Sequence, residues 1–349
     1  MIRRGLAWML ALVLGVGTAL GLTLAPVGAQ ETSEPGTWNP MGPEGGAATA
    51  LALSPDFATN GVAFGGNAYV IRQIKTGLGL FKSTDGGCTW LPSATTVATD
   101  TRITGVEALA VSPDFSADQT VFAGTRDYLY TSTDAGATWR QVKDVGSLLV
   151  GVSAVALAPD YATSGHVMAT SGNTLYVSEN RGISWTTQSE LGLGGVLAYS
   201  PDFANDRTAF VGGNALWRTV NGGITWTQVL SKSTWAVAVS PDFADDRTLF
   251  AGGLEGRLNI SYDAGTTWMT RTLVPTVSTV NALVTSPDYV TDTTLFAGCH
   301  SGLYRSEDGG VTWTPEPSFP PGVRVEVLAI SPDWPADPTL LVGTPAGIY

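Results

Sequence analysis

Downstream of Ala29 the hydrophobic positions fall in short β-prone runs separated by turn residues, four runs to a unit. One unit shows the pattern clearly, with runs at Val106–Val111, Thr120–Gly124, Tyr128–Ser132 and Thr138–Val142. Pro-Asp and Asp-Gly-Gly mark the turns between runs. Such a unit reads as a four-stranded antiparallel meander.

The unit recurs, and the recurrence decides the architecture. A Ser-Pro-Asp-aromatic block stands at Ser54–Phe57, Ser112–Phe115, Ser200–Phe203, Ser240–Phe243, Ser286–Tyr289 and Ser331–Trp334, and Ala158–Tyr161 is a worn seventh copy. Successive copies are 58, 46, 42, 40, 46 and 45 residues apart. A second motif, Ser/Thr-x-Asp/Asn-x-Gly-x-Thr/Ser-Trp, follows six of them: Ser83–Trp90, Ser132–Trp139, Ser178–Trp185, Thr219–Trp226, Ser261–Trp268 and Ser306–Trp313.

The second motif resembles the Asp-box of the bacterial-neuraminidase-type repeats, and the resemblance covers nearly all of the chain after residue 29. It implies an all-β fold, the β-propeller that such repeats build in sialidases, xyloglucanases, sortilin-like receptors and a photosystem II assembly factor. The residues themselves agree with a structural role. The acid or amide (Asp85, Asp134, Asn180, Asn221, Asp263, Asp308) can bond backbone amides of its own hairpin. The Gly supplies a positive φ. The Trp (Trp90, Trp139, Trp185, Trp226, Trp268, Trp313) supplies a large area to bury between sheets. A catalytic site is rarely copied six times.

The seventh unit stops at Tyr349, before a fourth strand and a Trp, while Gly36-Thr37-Trp38 looks like a fourth strand without its blade. Joining them predicts seven blades, the last closed by an N-terminal strand, with no open sheet edge. Residues 30–349 then form one propeller of about 46 residues per blade.

In a four-stranded meander the A–B and C–D turns share one end and the B–C and D–A connections the other. The Ser-Pro-Asp and Asp-box turns therefore share a repetitive face. The opposite face varies: it carries the insertion Asn67–Lys75 with Tyr69, Arg72 and Lys75, then Arg126-Asp127, Glu255 and Cys299-His300. Binding residues usually sit on such loops. Five residues before each Ser-Pro-Asp block stand Thr49, Glu107, Ser153, Gly195, Trp235, Asn281 and Glu326. This position is expected at the start of the innermost strand, at the mouth of the central channel on the variable face. Thr49, Glu107, Trp235, Asn281 and Glu326, with Arg72 and Arg126, are the candidate ligand-binding residues.

Glycoside hydrolysis needs two carboxylates roughly 5–10 Å apart across a sugar bond. Glu107 and Glu326 are the pair that one channel mouth can offer, from blades 2 and 7. The Phe/Tyr-Arg-Ile-Pro-type segment that carries the first arginine of sialidases is absent, since Tyr69-Val-Ile-Arg72 lacks the order and the Pro. The resemblance therefore transfers the fold and no catalytic residue. Cys88, in an Asp-box turn, and Cys299, placed in a B–C loop, fall on opposite faces. Strands of about 5–6 residues hold those faces some 17–20 Å apart, so two free thiols are expected. The A–B turns are rich in carboxylates (Asp242, Asp245 and Asp246; Asp202 and Asp206; Asp288 and Asp292), which raises calcium, but no spacing matches a calcium loop and turn capping fits better. His166 and His300 lie three blades apart and make no zinc set. No metal or other cofactor is expected.

Composition and charge add the setting. Met1–Ala29 has Arg3 and Arg4 followed by an uncharged run ending Val27-Gly28-Ala29, which reads as a signal peptide cleaved after Ala29, or as an uncleaved anchor. Its removal takes the net charge from −12 to −14. That balance argues against a nucleic-acid partner, and no later run is apolar enough to span a membrane. Charged residues make up only 14% of the chain, against 42 Gly and 11 Trp, as suits stacked sheets buried on both faces. The expectation is an exported, monomeric, non-enzymatic scaffold, secreted, periplasmic or on the cell surface, that binds a protein or glycan on its variable face. The alternatives are a sialidase-like glycan hydrolase and an assembly factor for a membrane complex.

Overall fold

A computed structural model describes residues 38, 41–42, 46–67, 79–93, 103–142, 151–188, 191, 193–273 and 278–349. They belong to the compact unit Gly36–Tyr349. The segment Met1–Ala29, read above as a signal peptide, and the candidate Arg72 lie outside the described residues.

The unit is a seven-bladed β-propeller. Each blade is an antiparallel meander in chain order, strands A to D from the channel outward. In blade 2 they run Val106–Val111, Val121–Thr125, Leu129–Ser132 and Arg140–Gln141. Strand A of each blade packs on strand A of the next, and that of the seventh (Val327–Ile330) packs on that of the first (Ala48–Leu53), so the ring closes.

The apolar residues form seven seams between blades. Each seam holds one Asp-box-type Trp: Trp90, Trp139, Trp185, Trp226, Trp268, Trp313 and Trp38. Each also holds the aromatic of a Ser-Pro-Asp block. Phe64 of blade 1 meets Phe115 of blade 2 edge-on at 6.0 Å, and Phe210 meets Phe243 at 5.7 Å. Glycines in strand B let the blades close in toward the channel. A Cβ on Gly124 would stand 2.7 Å from Val152 Cγ1 of the next blade, and one on Gly252 2.6 Å from Val280 Cγ1.

The seventh blade is closed as expected. Its strands A, B and C come from the C-terminal region, and Gly42 bridges Ile348 in antiparallel fashion. The register matches the other blades. Ser93, Val142 and Glu316, each three residues after an Asp-box Trp, donate their amides to Leu80, Leu129 and Leu303, and Met41, three residues after Trp38, donates to Ile348 at 2.8 Å. Trp38 itself packs edge-on against Phe319 at 5.2 Å.

Candidate functional site

The two faces divide as the meander requires. The A–B and C–D turns meet: the amides of Gly86, Ala135, Arg181, Gly222, Ala264 and Gly309 donate to carbonyls of the A–B turns of their own blades. Every Asp-box is occupied by its own hairpin. In blade 1, Asp85 Oδ1 accepts the Thr89 amide at 2.9 Å, its Oδ2 accepts the Thr89 hydroxyl at 2.6 Å, and Ser83 Oγ donates to it at 2.8 Å. Asp134, Asp263 and Asp308 repeat the pattern. Asn180 and Asn221 keep the amide contact and donate through Nδ2 to Ser184 and Thr225. These bonds act on the carboxyl groups. In Asp85, Asp134 and Asp308 partial burial pushes the pKa up, but the threonine and serine hydrogen bonds outweigh it and the net shift is downward. In Asp263 the Thr267 amide and hydroxyl bring it down to about 2.

One carboxylate of each of the A–B turns in blades 2, 4, 5 and 6, six residues after its serine, caps the turn. Asp118 and Asp206 accept the hydroxyls of Ser112 and Ser200 at 2.7 and 2.6 Å and the amides of Thr120 and Thr208 at 2.9 and 2.7 Å. Asp246 and Asp292 do the same for Ser240 and Ser286. Among the described residues no group of three or more His, Cys, Asp or Glu could hold a metal ion.

The seven residues singled out before the Ser-Pro-Asp blocks line one cavity of about 370 Å³ in the channel. Strand A explains why. Its pairing with strand B slips at Thr49, Glu107, Ser153, Trp235 and Asn281, and across 193–197 in blade 4. In blades 1, 2, 3, 5 and 6 the slip is one extra residue in strand A, a β-bulge, which bends the strand and re-aims the extra side chain, while Glu326 directly precedes strand A of blade 7. The polar groups thus gathered are engaged with the wall. Thr49 Oγ1 donates to the Val106 carbonyl of blade 2 at 2.7 Å. Asn281 Nδ2 donates to the Val325 carbonyl of blade 7 at 2.7 Å. Ser153 Oγ lies 3.1 Å from Thr170 Oγ1. Both carboxylates are paired, Glu107 with Arg126 at 2.8 Å and Glu326 with Arg324 at 2.7 Å. Trp235 is 44% exposed.

One reading of the sequence changes. Cys299 is the last residue of strand B in blade 6 (Leu295–Cys299) and fully buried; it is not in the B–C loop, because the run Leu-Phe-Ala-Gly extends its pairing to Val280. Both cysteines are free, Cys88 exposed and Cys299 buried. Arg324 belongs to the mouth; its place two residues before Glu326, on the same side of an extended segment, was the available signal. Leu254, 55% exposed directly after strand B of blade 5, is a further residue of this face that no repeat position marks.

Residues 175–188 match the BNR-Asp box repeat, over strand C and the Asp-box of blade 3. The same hydrogen-bonded turn recurs in blades 1, 2, 4, 5 and 6, so the match is to one of six such turns around this propeller. A search of curated proteins finds no match. Solved structures share the fold. YCF48 from Cyanidioschyzon merolae superposes at TM-score 0.61, with 16% identity over 89% of this chain and 97% of that one. YCF48 bound to D1 peptide gives 0.63, 16%, 89% and 96%. An ancestral GH74 enzyme gives 0.65 at 17% identity, over 89% of this chain and 45% of that one, so the chain spans less than half of that enzyme. Among the described residues no helix is long and apolar enough to cross a membrane.

Proposed function

We propose that this chain is an exported, non-catalytic propeller that holds a segment of a polypeptide at the channel mouth of its variable face. The supporting observation is that the ring residues of all seven blades line one cavity whose two carboxylates are each tied to an arginine. Hydrolysis needs one carboxyl to give a proton and the other to attack or to activate water. Glu107 and Glu326 instead make neutral pairs with Arg126 and Arg324, while a half-exposed Trp offers binding area. The structural neighbour YCF48 has been solved with D1 peptide bound, which supports a polypeptide ligand over a glycan. The Met1–Ala29 segment supports export.

The test sets peptide-library selection on the immobilised chain 30–349 beside a glycan array and a screen with fluorogenic sialosides and β-glucosides. The expected result is peptide binding that weakens in Trp235→Ala, without turnover. Turnover lost on Glu107→Gln, or glycan binding with no peptide selected, would overturn the reading.

A further inference from the structure

The ring at the channel mouth is chemically two-sided. On blades 2 and 7, which flank blade 1, it is charged: Glu107–Arg126 and Glu326–Arg324. In both pairs the guanidinium is the exposed member, Arg126 at 61% against 27% for Glu107, and Arg324 at 48% against 18% for Glu326. Across the ring, on blades 4 and 5, the ring positions themselves, Gly195 and Trp235, carry no charge. Gly195 has no side chain, and beside it Trp235 is open to solvent. Leu254 stands at the same end of blade 5, directly after Gly253, the residue that pairs with Thr234. The turn beyond it holds Glu255 at φ 68°, a left-handed conformation that a non-glycine residue adopts at a cost. An indole left half in water on the wall of the cavity, with an exposed leucine at the same end of its blade, marks a place where apolar area is to be covered.

We infer that the mouth is a two-ended site for a polypeptide segment carrying an acidic side chain close to an aromatic one. The carboxylate is received by the exposed guanidinium of Arg126 or of Arg324, and the aromatic ring lies against Trp235. This rests on the polypeptide-binding reading above. An arginine has five N–H donors in a planar fork. In each pair Nε is used by a glutamate, which fixes the plane of the guanidinium and leaves its Nη edge, the geometry that takes a carboxylate through two parallel bonds. A basic segment meets the exposed guanidinium groups first and is disfavoured. Trp235 offers the partner ring an offset or edge-on contact. A cavity of about 370 Å³ admits a few side chains rather than a folded domain.

The test uses the chain 30–349 and labelled peptides, acetylated and amidated so that no free terminus contributes, carrying one Glu and one Trp at a graded series of spacings. Fluorescence anisotropy is expected to show one spacing bound best. Glu→Gln or Trp→Ala in that peptide should weaken binding by about tenfold or more. The double variant Arg126→Gln, Arg324→Gln should lose the preference for Glu over Gln and keep that for Trp. Trp235→Ala, with Trp235→Leu as the milder second variant, should do the reverse. Unfolding midpoints near wild type confirm that the variants fold. Equal or tighter binding when Lys replaces Glu, or a Glu preference that survives loss of both arginines, would overturn the inference. Polypeptide binding itself still stands if such peptides bind and Trp235→Ala weakens them. If neither these peptides nor any library peptide binds, both readings fall together.

Discussion

Nδ1 of His166 accepts the hydroxyl hydrogen of Tyr199 at 2.9 Å, across the seam between blades 3 and 4. The other ring nitrogen fixes the tautomer. Nε2 lies 3.0 Å from the Gly222 carbonyl, which can only accept, so Nε2 carries the hydrogen. His166 is buried against Phe203 as well, at 4.8 Å between ring centres. Other blades place Thr at the equivalent position (Thr120, Thr208, Thr248, Thr294, Thr339); here the imidazole joins the seam that Met168 lines where blades 1 and 2 use Phe64 and Phe122.

Burial pushes the His166 pKa down, and the Gly222 hydrogen bond, Glu179 and Asp160 only partly oppose it while Arg207 adds to it. The folded state therefore binds this proton less readily than the unfolded chain. Its stabilising contribution is complete above the unfolded value of about 6.5 and is lost as pH falls through that region. We expect the melting temperature to drop between about pH 7.5 and pH 5, and the drop to shrink in His166→Met. An equal drop in both proteins would refute the assignment.

A second acid-sensitive window belongs to the Asp-boxes. Asp85, Asp134, Asp263 and Asp308 all have lowered pKa values in the fold, so they stabilise it above the unfolded value of about 3.9 and cease to as pH falls below it. Blades 3 and 4 carry Asn180 and Asn221 in the same bonds and cannot titrate. Replacing all four Asp by Asn should leave the neutral-pH fold intact and flatten the fall in stability below about pH 4. Replacing Asp263 by Ala removes the Thr267 and Ser261 hydrogen bonds and should lower stability at neutral pH. Denaturant titrations at neutral and acid pH read both effects, and an unchanged acid slope in the fourfold variant rules out the Asp-box origin.

The two thiols should differ sharply in reactivity. Cys88 is exposed in its turn. Cys299 is enclosed at the end of strand B, and burial pushes its pKa up to about 12, so little thiolate forms there. Iodoacetamide should label Cys88 in the native protein and both residues after unfolding. Native labelling of Cys299 at a comparable rate would show that the blade 6 seam opens readily.

The architecture was legible because each blade repeats the same local chemistry, and the channel ring because the start of strand A stands at a fixed distance before Ser-Pro-Asp. Features used once left no such trace. Nothing in the spacing of His166 and Tyr199 announces a contact between blades. The engagement of Thr49 with the Val106 carbonyl likewise depends on how two neighbouring strands lie together. Cys299 was misplaced by a single residue at a strand end, where pairing with Val280 rather than composition sets the boundary.

The seven seam tryptophans should not be equivalent. Trp139 is fully buried, and its Nε1 donates to Ser93 Oγ at 3.0 Å and to the Gly136 carbonyl at 3.2 Å. Trp185 is only partly buried and donates to the Gly182 carbonyl at 3.2 Å. Trp139→Ala should cost about 3–5 kcal/mol, and Trp185→Ala less. Urea unfolding of the two variants gives the order, and a reversed order would mean that the seams relax independently of how tightly they enclose the ring.

Closure of the ring rests on Trp38 and the bridge behind it. Met41 donates to Ile348 at 2.8 Å and Ile348 donates back to Gly42 at 3.0 Å, so without them the short strand Gly347–Ile348 would be an open edge. Trp38 fixes this segment by filling the seam between blades 6 and 7 beside Phe319. Trp38→Ala removes the filling and leaves the bridge with little to hold it. Hydrogen exchange should then accelerate at the amides of Met41 and Ile348, while the equivalent amide of Glu316, which bonds Leu303 within blade 6, keeps its protection. Uniform acceleration in all blades would point to a global loss of stability, and unchanged protection at Ile348 would show that the bridge holds without the tryptophan.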